Sequence, residues 1–71
     1  MLNIKVAQAP GTVREVVLND GATINDALIT AGLTVQSGNT LQLDGNETDD
    51  FSQVLSNGQN IVIAVGAKGN S

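Results

Sequence analysis

The sequence contains no cysteine, histidine, tryptophan or tyrosine, and it has a single phenylalanine. Without cysteine, a domain of 71 residues cannot use disulfides or thiolate sites and must be held together by apolar packing. Without histidine, it lacks the commonest metal ligand and the usual general base near neutral pH. An enzyme would have only carboxylates, hydroxyls and amines as candidate catalytic groups. We therefore predict a protein that is not an enzyme, with no catalytic residues, metal or cofactor.

Positive charge is also scarce, because three basic residues stand against seven acidic ones and give a net charge of -4. This balance repels phosphate backbones, and the shortage of aromatic rings leaves no stacking platform for bases. Long hydrophobic runs are missing too: the opening segment "MLNIKVAQAP" alternates and is too short for a signal peptide. We therefore predict a soluble, cytoplasmic protein that binds neither nucleic acid nor membranes.

The first part of the chain has the pattern of a β-hairpin. The run "LNIKVA" alternates apolar and other residues with period two, which is typical of a strand with one buried face. Pro10-Gly11 then indicates a turn. The next run, "VREVVLN", is rich in β-branched residues and sets Val16 and Leu18 on one face, with Glu15 and Val17 on the other. These features predict two strands joined by a turn.

A short helix is predicted after the hairpin. Thr23 lies at the expected N-cap, and Asp26 follows three residues later as an acidic variant of the capping box. A stripe of apolar residues at helical spacing comprises Ile24, Ala27, Leu28 and Ala31. Gly32 stands at the expected C-terminal stop. Because the helix is only about two turns long, it must be stabilised by packing on a sheet.

The second half of the chain predicts two further strands. A short strand over Thr40 to Leu43 precedes the turn pair Asp44-Gly45. In the connecting segment, three apolar side chains are expected to pack under the sheet: Phe51, Val54 and Leu55. After the turn pair Asn57-Gly58, the run "NIVIAVG" sets Ile61, Ile63 and Val65 on one face and Val62 and Ala64 on the other. Such a nearly continuous apolar run favours a central strand.

This order of elements resembles the ubiquitin-like sulfur-carrier families of thiamin and molybdopterin synthesis. The segments that carry the resemblance are "NDGATINDAL" at 19–28, "AGL" at 31–33 and "LSNGQNIVIAV" at 55–65. It implies an α+β, β-grasp (ubiquitin-like) fold: a mixed sheet of four to five strands with one short helix packed on one face. We predict a single domain over residues 1–66 and a flexible C-terminal tail over 67–71.

The tail departs from the pattern of those families, whose activity resides in a C-terminal Gly-Gly. Here the chain reads Ala67-Lys68-Gly69-Asn70-Ser71, with one glycine preceded by a bulky lysine. The resemblance implies that the tail is threaded through a narrow channel of an E1-like activating enzyme, which favours residues without a Cβ atom. A carrier or protein modifier processed to Gly69, with Lys68 and Gly69 as its functional tail, is therefore the alternative hypothesis.

The preferred hypothesis is a non-enzymatic interaction module. The sheet face opposite the helix is expected to present Lys5, Val17, Val62 and Ala64, an apolar strip with a polar edge. The resemblance implies that this face docks on partners, although exposed valine and alanine are also ordinary on protein surfaces. The predicted partner is another protein or a second copy of the chain, bound through the open sheet face or a sheet edge.

The acidic segment "DGNETDD" at 44–50 has a less specific pattern. As a calcium loop it would need glycine at its sixth position and glutamate at its twelfth, where Asp49 and Leu55 stand. As an acid/base pair, Asp49 and Asp50 lack a second functional group to support that chemistry. We interpret the segment as a solvated connection.

Overall fold

The computed structural model describes residues 1–9 and 11–64. Its elements are β1 (Leu2–Ala9), β2 (Thr12–Leu18), α1 (Ile24–Ala31), β3 (Thr40–Leu43), β4 (Asn46–Glu47) and β5 (Asn60–Ala64). The α+β prediction is confirmed, since one short helix accompanies a mixed sheet of five strands. This arrangement is compatible with a β-grasp. The predicted tail, including Lys68 and Gly69, lies outside the described residues, as does Val65.

The last described strand lies in the middle of the sheet. The strand order is β2-β1-β5-β3-β4, so β5 is flanked by β1 and β3. It runs parallel to β1 and antiparallel to β3, whereas β1 and β2 form the antiparallel opening hairpin. Ile61 and Ile63 are 0% exposed, and Val62 is half-buried. The prediction of a central strand is therefore confirmed over the described residues of the run.

Helix α1 begins and ends where its sequence signals indicate. The Asp26 amide donates to Thr23 Oγ1 at 3.3 Å, and the Thr23 amide donates to Asp26 Oδ2 at 3.0 Å, which completes the capping box. At the C-terminus Gly32 adopts φ 75°, a left-handed conformation that favours glycine. The predicted apolar stripe is buried, and the helix packs against β2 and β1. Packing on the sheet stabilises this short helix, as expected.

The core lies between α1 and one face of the sheet. Its buried side chains are Leu2, Ile4, Val6, Val16, Leu18, Ile24, Ala27, Leu28, Ala31, Leu41, Leu43, Leu55, Ile61 and Ile63. Among the described residues no polar or charged residue is buried. The period-two alternation of each strand thus separates an apolar inner face from an exposed outer face.

The connecting segment before β5 differs in one respect from its prediction. Leu55 is buried and Phe51 packs partly buried against the core, but Val54 is 58% exposed. The Leu55 amide donates to the carbonyl of Ala22, and Val54 forms an isolated bridge with Thr23. Since successive side chains of an extended backbone point to opposite sides, Leu55 points inward and Val54 outward. The expectation that Val54 packs under the sheet was wrong.

The turn at Asp44-Gly45 makes a hairpin that sequence reading left incomplete. Asp44 and Gly45 have φ values of 52° and 84°, as a tight two-residue hairpin turn requires. The turn is followed by β4, two residues long, which pairs with β3 and forms one edge of the sheet. Its shortness explains why periodicity could not reveal it.

Candidate functional site

The candidate site is the outer face of the sheet, opposite α1, which we call the open face. Its side chains are those of Asn3, Lys5, Ala7, Ala9, Val13, Glu15, Val17, Thr40, Gln42, Glu47, Asn60, Val62 and Ala64, all half-buried or exposed. The alternation along β1, β2, β3 and β5 sets the residues of these strands opposite the core, and Glu47 joins them by pairing with Gln42. The open face therefore gathers residues from distant parts of the chain.

The registers arrange the open face in rows across the strands. The middle row contains Val13, Ala7, Val62, Gln42 and Glu47, because Ala7 pairs with both valines, Val62 pairs with Gln42, and Gln42 pairs with Glu47. Neighbouring strands lie about 4.8 Å apart, so the side chains of a row adjoin one another. The first three members form a continuous apolar row that ends at β2. Val13, which is 66% exposed, is the largest contributor of accessible apolar surface to this row.

The four residues predicted from the sequence all lie on the open face, but in different rows. Val62 belongs to the middle row, and Ala64 lies next to it, in the row of Ala9 and Thr40. Lys5 lies on the other side, between Glu15 and Asn60. Val17 pairs with Asn3 one row further along. The structure brings Val62 and Ala64 together, whereas a charged and polar row separates them from Val17.

Sequence reading did not single out Val13 and Ala7 as interaction residues, although a signal for both was present. The alternation that assigned Glu15 and Val17 to the outer face extends one step back to Val13. Ala7 likewise follows Lys5 in the outer set of β1. Their place beside Val62 depended on the register between strands, which periodicity within one strand does not contain.

The row of Glu15, Lys5 and Asn60 contains one ion pair. Lys5 Nζ lies 4.0 Å from Glu15 Oε2, and both side chains are more than half exposed. A pair of this kind contributes little to stability, because water and salt screen it. Beside it a hollow of about 620 Å³ lies on the open face, between β1 and β2 and the segment Gly58–Asn60. The open face thus has an apolar row and, next to it, a hollow lined by both polar and apolar residues.

The outer edge of β2 has backbone groups that no other described strand pairs with. The Lys5 amide donates to the Gln59 carbonyl at 3.3 Å, so odd-numbered amides of β1 point to β5 and even-numbered ones to β2. Because Ile4 pairs with Val16, the amides and carbonyls of the even-numbered residues of β2 bond to those of the even-numbered residues of β1. Three residues of β2 therefore direct their amides and carbonyls away from the sheet: Val13, Glu15 and Val17. Within 1–9 and 11–64 no strand pairs with this edge.

The acidic segment accepts hydrogen bonds both from its own turn and from the start of β5. Asp44 Oδ1 accepts from the Asn60 amide at 2.9 Å, and Asp44 Oδ2 accepts from Gln59 Nε2 at 3.1 Å. Asp50 Oδ1 accepts from the Ser52 amide at 3.0 Å. Among the residues that the structure describes, no cluster of three or more acidic, histidine or cysteine side chains could hold a metal ion. These carboxylates act as turn and strand caps.

Comparisons with known proteins add no family to this description: no protein-family model matches the chain, and no curated protein matches it. In the part of the chain that the structure describes, no helix is both long enough and apolar enough to cross a bilayer.

Proposed function

We propose that the chain is a β-grasp domain that acts as a non-enzymatic protein-interaction module, binding a protein partner or a second copy through its open face. The observation that supports this most directly is the apolar row of Val13, Ala7 and Val62, which crosses three adjacent strands. Apolar side chains collected on one surface, with polar residues around them, are typical of interaction sites. The order β2-β1-β5-β3-β4 supports the fold assignment.

The substitution Val62→Asp tests the open face. Val62 lies at the centre of the described sheet, so a carboxylate there would lose its hydration if a partner covered it. We expect the complex isolated from the native source to be lost, while the thermal unfolding curve shows that the domain remains folded. The measurement is co-purification followed by size-exclusion chromatography of each variant.

Val54→Asp is the matched control, because it makes the same change at a valine that is 58% exposed and lies outside the open face. This control should retain the complex. A complex that survives Val62→Asp unchanged would remove the open face as the binding surface, and equal loss in both variants would indicate an effect of added charge alone.

The carrier alternative depends on Lys68 and Gly69, which lie outside the described residues. The intact mass of the protein from its own source tests it. A chain ending at Gly69, or one carrying sulfur or a covalent adduct there, would establish the alternative. An unmodified chain that extends beyond Gly69, recovered in a stable assembly, would contradict it.

A further inference from the structure

We propose that Asn57-Gly58 is a site of spontaneous deamidation, and that hydrogen bonds to the start of β1 protect this site in the folded domain. The inference concerns the chemistry of the chain itself and does not depend on the proposed function. It starts from the sequence, in which Asn57-Gly58 is the one Asn-Gly pair. Because glycine has no side chain, nothing on Gly58 hinders its backbone nitrogen from attacking the side chain before it.

Deamidation of an Asn-Gly pair needs no reagent other than water. The backbone nitrogen of Gly58 bonds to Cγ of Asn57, the Cγ–Nδ2 bond breaks, and Nδ2 leaves as ammonia with the proton of the Gly58 amide. The product is a succinimide ring, which water opens at either of its two carbonyls. One opening gives aspartate, and the other gives isoaspartate, in which the main chain runs through the former side chain.

Burial does not protect this pair, because both residues are exposed. Gly58 has φ 87°, and apart from its chain neighbours no atom lies within 4 Å of where a Cβ would stand. Water and hydroxide therefore reach the pair from solution. The hydrogen bonds of its polar atoms must decide whether the pair reacts.

Asn3 bonds to both reacting groups. Its amide donates to Asn57 Oδ1 at 2.8 Å, and its carbonyl accepts from the Gly58 amide at 3.0 Å. Two residues further along, the Lys5 amide donates to the Gln59 carbonyl, so the Asn57 side chain continues the parallel ladder between β1 and β5. The Gly58 nitrogen attacks only after losing its proton, and the Asn3 carbonyl holds that proton. Attack therefore requires the start of β1 to separate from the turn at 56–59.

The turn at 56–59 is also fixed by bonds that do not involve β1. The Ser56 amide donates to Gln59 Oε1 at 2.7 Å, and the Gln59 amide donates to the Ser56 carbonyl at 3.3 Å. Gln59 Nε2 donates to Asp44 Oδ2 on the other side of β5. The turn thus has contacts on both sides of β5, and those to Asn3 are the ones that engage the reacting groups.

Deamidation at this place changes the open face. Gly58 and Gln59 line the hollow beside Lys5. Aspartate at this position adds a negative charge to a chain whose net charge is already -4. Isoaspartate lengthens the main chain just before β5, which displaces Gln59 from the Lys5 amide. A chain whose β1 has once opened is therefore marked irreversibly in the hollow.

The first test follows deamidation of Asn57 in the intact protein by peptide mapping and mass spectrometry, at mildly alkaline pH, in native buffer and in guanidinium chloride. A blocked peptide of sequence LSNGQN, kept in both solvents, corrects for the effect of the denaturant on the chemistry. We expect the folded protein to deamidate at least about tenfold more slowly than the unfolded chain, since only the opened fraction reacts. Equal corrected rates would overturn the inference. So would an unfolded chain in which Asn57 reacts no faster than the other asparagines.

The second test compares Asn3→Pro with Asn3→Ala in native buffer. Proline lacks the amide that donates to Asn57 Oδ1, whereas alanine keeps it. Asn3 pairs with Val17, and the amides of this pair point away from the hairpin ladder, so the β1–β2 hairpin keeps its bonds in both variants. We expect Asn3→Pro to deamidate about fivefold faster than the unmodified protein, the effect of one lost hydrogen bond. Asn3→Ala should stay within about twofold of it, since its backbone bonds remain.

The direction of the change separates two effects of the bond to Asn57 Oδ1. A donor on this oxygen draws electrons from Cγ and by itself favours attack, so a purely electronic role predicts slower deamidation in Asn3→Pro. A rate at or below that of Asn3→Ala would overturn the inference. Thermal unfolding checks that both variants fold. If Asn3→Pro does not fold, hydrogen exchange of the Gly58 amide in the unmodified protein decides: protection supports the inference, and exchange at the rate of the free peptide overturns it.

Discussion

At the scale of single residues, a few polar side chains determine where the elements begin and end. Thr23 and Asp26 bond reciprocally at the start of α1, and Asp44 receives the first amide of β5. The first pair was predictable, since the capping box joins residues three apart in the sequence. The second was not, because Asp44 and Asn60 are sixteen residues apart and meet only when β3 and β5 pair.

Thr23→Ala tests the contribution of the capping box. The substitution removes the oxygen that accepts from the Asp26 amide, and we expect it to lower the free energy of unfolding by about 1 kcal/mol. Urea denaturation followed by circular dichroism measures the change. Thr30→Ala, at an exposed position of the same helix, should leave stability unchanged or slightly raised. Equal losses in the two variants would show that the cap contributes nothing specific.

At the scale of elements, alternation explains which strand residues enter the core and which reach the open face. In β5, Ile61 and Ile63 are fully buried, while Val62 between them contributes to the apolar row. Sequence periodicity predicted this division, because side-chain direction along a strand is a local property. The exposed Val54 shows the limit of such reading: an extended segment without a clear pattern does not reveal which of its apolar residues points inward.

Ile63→Val tests the packing of the central strand. Ile63 is 0% exposed, so loss of one methylene should lower the free energy of unfolding by about 1 kcal/mol. For a domain of this size, that corresponds to a fall of roughly 4–8 °C in Tm. Ile29→Val is the matched control, since Ile29 is 69% exposed, and its effect should stay within about 0.5 kcal/mol. An equal fall for both would contradict the burial of Ile63.

At the scale of the whole molecule, the side chains that pack the core and the side chains that carry charge lie in different places. Every buried side chain in the described residues is apolar, and the Lys5–Glu15 pair lies on the open face with both side chains largely exposed. The net charge of -4 therefore acts mainly on encounters with other molecules. This separation allows the surface charges to change without loss of the core.

Salt titration checks this separation. Between low salt and about 0.5 M sodium chloride, we expect the free energy of unfolding to change by less than about 1 kcal/mol, because exposed charges contribute little and are screened. Lys5→Gln, which removes the Lys5–Glu15 ion pair, should change this free energy by less than about 0.5 kcal/mol. A large loss of stability in salt would show that ion pairs, and not apolar packing, hold the domain together. Chemical denaturation with urea at each salt concentration gives the values.

The sequence by itself determined the local elements: the alternating strands, the capped helix and the glycine turns, because each depends on residues close together in the chain. Only the tertiary structure decided the candidate site. Ala7 and Val62 become neighbours through the parallel pairing of β1 and β5, and Val13 joins them through the hairpin register. The place of β2 at one edge of the described sheet follows from the strand order in the same way. Such contacts join residues far apart in the chain, and the packing of the complete sheet selects them among the pairings that local patterns permit.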